Sequence, residues 1–396
     1  MRILMISPSI LWPLYGGASV RMFNIIKELS QKGHQIVLIT GVRGRHSDLS
    51  NNTLRQFCEK LYTYELPPVK NRLFFLLRSF LSAAPYPSLR FQNRQLRQIT
   101  SDLIKNEKFD LIWVNFLFMA DVLLEIPVKN IPVILDQHEA DELIWNGYIQ
   151  RGNVFQKIFS YLNLKKIKLL QKKVFNRIDA VLCVSGAEAE FMKSRVPAGV
   201  KIFVAPNGVD ADFFCPSADI NKQGNIILMT GAMCIIRNID AAVWFAKNIF
   251  PKIKKSVPEA EFWIVGFEPH KKVLKLQEIP GVKVTGAVEN IKPYYERAKV
   301  YVAPFRFGEG TRLKVLEAMA MRMPIVTTKF GCQGIDIANG RQVLIADNEK
   351  EFANKVVDLL GDSNLAQGLA DAGRKFVEQK YNWKNIISDI EISIKK

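Results

Sequence analysis

The sequence predicts an α/β protein built from two Rossmann-like, doubly wound domains. Two observations carry this. The chain has 396 residues, enough for two domains with separate cores. In both halves, short apolar runs alternate with longer helical patterns, and the runs end in glycine or polar residues, the order that builds a parallel sheet with helices on both faces.

The first half opens with a strand at Arg2–Ser7, a loop, and the pair Gly16-Gly17. A helix then runs to about Lys32, and Gly33 stops it before a second strand at Gln35–Thr40. No G-x-G-x-x-G follows the first strand, so this is not the dinucleotide fingerprint. Asn71–Gln98 is basic and aromatic, with an apolar set broad enough for a helix hairpin, broken at Pro85-Tyr-Pro87. It reads either as a lipid-facing element or as a helix packed on the sheet, since periodicity alone does not separate them. Phe109–Asn115 and Pro132–Leu135 are buried strands, and the second runs into Asp136-Gln137-His138-Glu139. Such a polar run at the carboxyl end of a parallel strand sits where these sheets bind ligands. Asn153–Arg177 is a long basic helix, expected to dock through Phe155, Ile158, Phe159 and Leu162. A strand at Ala180–Ser185, a helix at Glu188–Arg195 and a strand at Val200–Ala205 complete this half.

The second half repeats the alternation. Strands at Ile226–Thr230, Glu261–Val265 and Val282–Thr285 end in Gly231, Gly266 and Gly286-Ala287-Val288. Helices follow at Asn238–Ile249 and Ile291–Ala298, then the strand Val300–Ala303. Pro304 ends that strand because proline cannot donate to a ladder. A turn holding Gly308 and Gly310 leads to Thr311, a candidate N-cap, and a helix at Leu313–Met321. A strand at Pro324–Thr328 and helices at Glu349–Leu360, Gln367–Glu378 and Trp383–Ile394 follow.

Chemistry concentrates between Tyr301 and Gly334. A glycine-rich turn feeding a helix N-terminus is a ready anion site. Arg312 and Lys314 stand beside it, Glu309 just before it and Glu317 inside the helix. From Thr311 to Glu317 the helix rises roughly 9 Å, which suits one carboxylate at each end of a sugar nucleotide with the diphosphate between. Lys314 and Glu317, three apart, share a helix face, so an internal ion pair is the competing reading.

The spacing of Glu309, seven residues and Glu317, set in PFRFGEGTRLKVLEAMAMRMPIVTT, resembles the E-x7-E signature of the family-4 retaining glycosyltransferases. The resemblance covers nearly the whole chain, most specifically Ile226–Ala346. It implies the GT-B fold, two Rossmann-like domains facing a deep cleft. Residues 1–210 would bind the acceptor, 211–375 would bind a nucleotide sugar, and 376–396 would cross back onto the first domain. It places Gly16-Gly17 near donor phosphates and acceptor, although alone they read as an ordinary loop pair, and Arg21 could face the same place. It implies that His138 contacts the donor sugar, that backbone near Val288 reads the base, that Glu317 holds the ribose and that Glu309 holds the sugar hydroxyls. Arg312, Lys314, Arg237, Gly310 and the helix start at Thr311 would take the diphosphate. One departure stands out: many relatives carry an arginine and a lysine after the strand matching Ile226–Thr230. Here those places are Ala232 and Asn238, and Arg237 is the one basic residue in the loop.

Net charge is +17, unevenly spread. No acid occurs between Glu65 and Asp102, or between Glu142 and Asp179, whereas six and eight Lys or Arg fall there. Such stretches imply a polyanionic partner. The expected partners are a nucleotide-sugar donor, a glycan or lipid-linked acceptor and an anionic membrane surface, with no nucleic acid. No metal or other cofactor is expected. Five scattered cysteines without a C-x-x-C pair fit reduced thiols, and MRILMISPS reads as a strand rather than a signal peptide, so a cytoplasmic enzyme, peripheral on the cytosolic membrane face, is expected. Two rivals remain: a sugar-nucleotide epimerase of the same fold, and a non-catalytic basic protein that binds membrane or nucleic acid.

Overall fold

The computed structural model describes all residues except 10–13, 15, 43–51, 69, 70, 139, 152, 218–221, 223, 308–310 and 396. The chain forms two compact units, Met1–Pro206 with Ile387–Lys396, and Asn207–Ile386.

The first unit is a parallel sheet of seven strands, β1 (Arg2–Ser7), β2 (Gln35–Val42), β3 (Lys60–Glu65), β4 (Leu111–Asn115), β5 (Val133–Gln137), β6 (Ala180–Cys183) and β7 (Lys201–Val204), in the order β3-β2-β1-β4-β5-β6-β7. Ile3 pairs with both Ile36 and Leu111, so β1 and β4 form the point where strand order reverses. β1, β2, β4 and β5 are buried almost throughout because helices cover both faces, which is why their sequences are continuous apolar runs. β5 continues two residues past the expected Leu135, taking Asp136 and Gln137 into the sheet. β3 was not expected from the sequence; it is a mixed edge strand. Helix α1 spans Gly17–Gln31.

The basic stretch 71–98 is not one hairpin. It forms α2 (Arg72–Leu81), a short helix Tyr86–Phe91 and the start of a third helix at Arg94, capped by the Asn93 side chain. Helix α3, Val154–Phe175, begins with a capping box in which the Asn153 side chain and Gln156 satisfy each other's backbone donors. Phe159, Ile167, Leu170 and Val174 bury its inner face, whereas Phe155 and Ile158, expected to dock, are exposed.

The second unit is a parallel sheet of β8 (Ile226–Thr230), β9 (Glu261–Val265), β10 (Val282–Gly286), β11 (Val300–Ala303), β12 (Ile325–Thr327) and β13 (Leu344–Ile345), ordered β10-β9-β8-β11-β12-β13. Its reversal point lies between β8 and β11. The strand ends after β8 and β9 nearly touch: a Cβ on Gly266 would lie 1.8 Å from the Gly231 carbonyl oxygen. Helix α4 covers Ile236–Trp244 and runs on through a π turn at Phe245–Ile249. Helix α5, Leu313–Ala320, carries the motif, and α6 spans Trp383–Lys395. Each unit has its own apolar core.

Candidate active site

The second unit gathers its polar groups at the carboxyl ends of β8 and β11, where a doubly wound sheet binds ligands. Glu317, on the second turn of α5, is 6% exposed. Lys314 Nζ lies 2.9 Å from both its carboxylate oxygens, and the Tyr295 hydroxyl donates to Oε2 at 3.4 Å. Tyr295 also meets Thr230 Oγ1 at 3.0 Å, and Thr230 meets the Tyr301 hydroxyl at 3.2 Å. Burial, helped by the Glu317 charge, pushes both phenols up, so both stay protonated and able to donate. Glu317 is therefore a fixed, oriented carboxylate at the reversal point. Lys314 forms the ion pair that competed with a phosphate role, so its first function is to neutralise Glu317.

Thr311 is not the N-cap. Arg312 occupies that position with φ −83° and ψ 84°, and no side chain caps the helix. Instead, Thr311 Oγ1 is buried without a hydrogen-bond partner among the described residues. Arg312 is buried as well: Nε donates to the Phe330 carbonyl at 3.3 Å and its guanidinium lies 5.1 Å from the Phe305 ring centroid. It fastens the loop after β11 to the loop after β12. Thr328 strengthens the same junction, accepting from Gly331 N at 3.0 Å and donating to the Phe305 carbonyl. Glu309 and Gly310 lie outside the described residues.

In the loop after β8, Asn238 folds back, and its Nδ2 donates to the Ala232 carbonyl at 2.8 Å. The position of the usual lysine thus holds the loop's shape. Arg237, on the first turn of α4, is half-buried and has no hydrogen-bond or ionic partner among the described residues. Val288 lines a cavity of ≈ 390 Å³ with Glu289, Asn290, Pro293, Tyr294 and Arg297.

In the first unit, Gly16 is the N-cap residue of α1 and Gly17 its first residue. A Cβ at Gly16 would meet nothing within 4 Å, so the described fold does not itself demand glycine there. Arg21, expected to face a ligand, is 1% exposed and instead grips Asp136, with Nη2 to Oδ1 at 2.8 Å and Nε to Oδ2 at 3.0 Å. Its Nη1 donates to the Ala205 carbonyl at 2.8 Å. The pair thereby ties α1 to β5 and to the end of β7. His138 follows β5. Its Nε2 lies 3.2 Å from Asn115 Oδ1, and its ring stacks on Phe116 at 4.1 Å. An amide oxygen can only accept, so Nε2 carries the proton and Nδ1 is the bare acceptor. Nδ1 is buried without a partner among the described residues. Burial lowers the His138 pKa to about 4, outweighing the nearby Asp136 carboxylate, so the ring is neutral near pH 7. Phe116 stands at φ +72°, a strained setting that turns its ring under the histidine.

Comparison with known proteins then places the chain. A Glycosyltransferase Family 4 model matches residues 15–213, and a Glycosyl transferases group 1 model matches 224–362. The chain belongs to glycosyltransferase family 4. An uncharacterized 44.6 kDa protein in the cps region of Klebsiella pneumoniae is 20% identical over 98% of both chains. An uncharacterized glycosyltransferase of Methanocaldococcus jannaschii is 23% identical over 98% of this chain and 97% of its own. The crystal structure of Anabaena Alr3699/HepE in complex with UDP and glucose superimposes with a TM-score of 0.70 over 100% of both chains at 14% identity, which establishes the GT-B fold.

The glycosyltransferase carries site groups that its sequence did not single out. Tyr295 holds Glu317, with Thr230 and Tyr301 behind it, and Asn115 and Phe116 orient His138. Tyr295 and Tyr301 are separated by only six positions, but one lies on a helix and the other on β11. Their convergence depends on the sheet order. Among the described residues, no cluster of His, Cys, Asp or Glu could hold a metal ion.

Proposed function

We propose that this glycosyltransferase moves a sugar, with retention of anomeric configuration, from a nucleotide-sugar donor to a glycan or lipid-linked glycan, at the cytosolic face of an anionic membrane. The acceptor reading is in keeping with the relative from a cps region, and the donor reading with the similar structure that holds UDP and glucose. The observation that carries the donor reading is Glu317, a buried carboxylate already turned by Lys314 and Tyr295 toward the reversal point of the second sheet. Such a group accepts hydrogen bonds from both ribose hydroxyls. The base would enter the cavity beside Val288. The diphosphate would meet the start of α5, with the Thr311 hydroxyl, unpaired among the described residues, and Arg237 as donors, and Arg312 keeping the turn in shape. Glu309, by its place in the motif, would hold the sugar hydroxyls. His138 Nδ1, neutral and without a partner among the described residues, would accept from one sugar hydroxyl. Gly16 leaves room for a bulky group at the start of α1.

In the transfer itself, the anomeric C–O bond to the diphosphate breaks while the acceptor oxygen bonds to the same face. The acceptor proton passes to the departing phosphate oxygen. A thermal-shift screen of UDP-, GDP- and dTDP-sugars, followed by product analysis, tests this reading. One donor should stabilise the protein, and an acceptor should be required for sugar release with the α or β configuration kept. Free epimerised sugar released without acceptor would favour an epimerase instead.

A further inference from the structure

We propose that the outer face of α2 and the first two turns of α3 is the surface that seats the enzyme on an anionic bilayer. This deepens only the membrane part of the proposed function and is independent of the donor chemistry.

The face is apolar where it should not be. On α2, Phe74, Leu77 and Leu81 point to solvent, Leu81 94% exposed, while Phe75 and Ser79 turn inward. On α3, Val154, Phe155, Ile158 and Tyr161 do the same, Val154 75% exposed. The two sets join, because the rings of Phe80 and Phe155 lie 6.1 Å apart. Such a contiguous patch marks an interaction surface. It is also fixed in direction. Asn163 of α3 accepts from Ser79 Oγ at 3.3 Å and from Tyr86 N at 2.8 Å, and Lys166 reaches the Ser79 carbonyl. The helices therefore present this face as a built surface.

Charge decides the occupant. Folding brings together the two acid-free segments of the chain, and the apolar patch lies wholly inside them. Arg78 interrupts the stripe on α2, Lys157 interrupts that on α3, and Lys165 lies 4.6 Å from the Tyr161 ring centroid. Apolar side chains flanked by cations of one sign, with aromatic rings at the margin, match an anionic lipid surface: the stems and rings enter the headgroup layer and the cations stay with the phosphates. Nucleic acid would leave Leu77, Leu81 and Ile158 facing a charged backbone. α2 has ten residues, and no helix of the described residues is long and apolar enough to cross a membrane, so the face rests on the bilayer.

The test is co-sedimentation of the full chain with phosphatidylcholine vesicles, with and without phosphatidylglycerol, at low and high salt. The wild-type protein should pellet with the anionic vesicles at low salt and be largely released by high salt. Leu77→Glu/Leu81→Glu and Phe155→Glu/Ile158→Glu should each bind about tenfold more weakly or worse, with unchanged melting temperature because the side chains are exposed. Leu274→Glu/Leu365→Glu, which adds the same two charges at exposed positions of the second unit, should bind like wild type. Wild-type protein that ignores anionic vesicles at low salt would overturn the membrane reading altogether. Wild-type binding that both double variants retain would overturn this face while leaving membrane association intact. Light scattering that shows a dimer dissociated by the same variants would reassign the patch to a second copy of the chain.

Discussion

Lys314 and Glu317 show how a single residue separates two readings of the motif. Lys314 is about a third exposed and Glu317 is buried, so removing the lysine leaves a desolvated carboxylate with only Tyr295 as donor among the described residues. Lys314→Met should lower stability by about 1–3 kcal/mol, the cost of a buried group losing its partner. Nucleotide affinity should fall with it, because Glu317 is no longer held. Calorimetric melting and nucleotide titration of the variant check both; unchanged melting would mean the pair contributes nothing. His138 gives a pH prediction. Its folded pKa of about 4 lies below the unfolded value of 6.5, so the unfolded chain binds more protons between those values. Its contribution to stability is therefore full above about pH 6.5, falls as pH drops toward 4, and changes no further below that. Removing it in His138→Gln should flatten the stability slope across that window by on the order of 3 kcal/mol, read by denaturant unfolding at a series of pH values. Glu317, Lys314 and Arg312 were singled out by the glycine-rich turn and helix around them, and the ion pair of Lys314 with Glu317 by their spacing of three. Their partners were not, because Tyr295 and Thr230 join the site through strand order, and nothing local in the sequence encodes that.

At the scale of elements, the first unit depends on the tie between α1 and β5. Arg21 sits on the helix and Asp136 in the strand, and both are fully desolvated. Arg21→Met would strand the Asp136 charge in the sheet and should cost about 3–5 kcal/mol, measured as a fall in the unfolding midpoint. In the second unit, Gly266→Ala would drive a methyl group into the Gly231 carbonyl, so the β8 and β9 ends must separate. The expected result is a loss of stability together with weaker nucleotide binding, since both strand ends border the loop carrying Arg237. Strands with continuous apolar runs, such as β1, β2 and β8, were legible in the sequence. β3 was not: its alternating Lys-Leu-Tyr-Thr-Tyr-Glu lies at the sheet edge and lacks the buried run that marks its neighbours. The stretch 71–98 concealed two stripes on one helix. Phe75 and Ser79 pack inward while Phe74, Leu77 and Leu81 face out, so one helix carries a packed side and an exposed apolar side.

For the molecule as a whole, the paired parallel sheets were legible because alternation and glycine punctuation recur in both halves, and the family was legible in the motif around Glu309 and Glu317. The central claim is that the second unit binds the nucleotide part of a sugar donor through Glu317. Isothermal titration of the best-stabilising nucleotide into wild-type, Glu317→Gln and Glu317→Ala protein tests it most directly. The account predicts saturable binding by the wild type and a loss of roughly 1.5–3 kcal/mol in both variants, the worth of hydrogen bonds to a charged acceptor. Folded variants that bind the nucleotide as tightly as the wild type would contradict it.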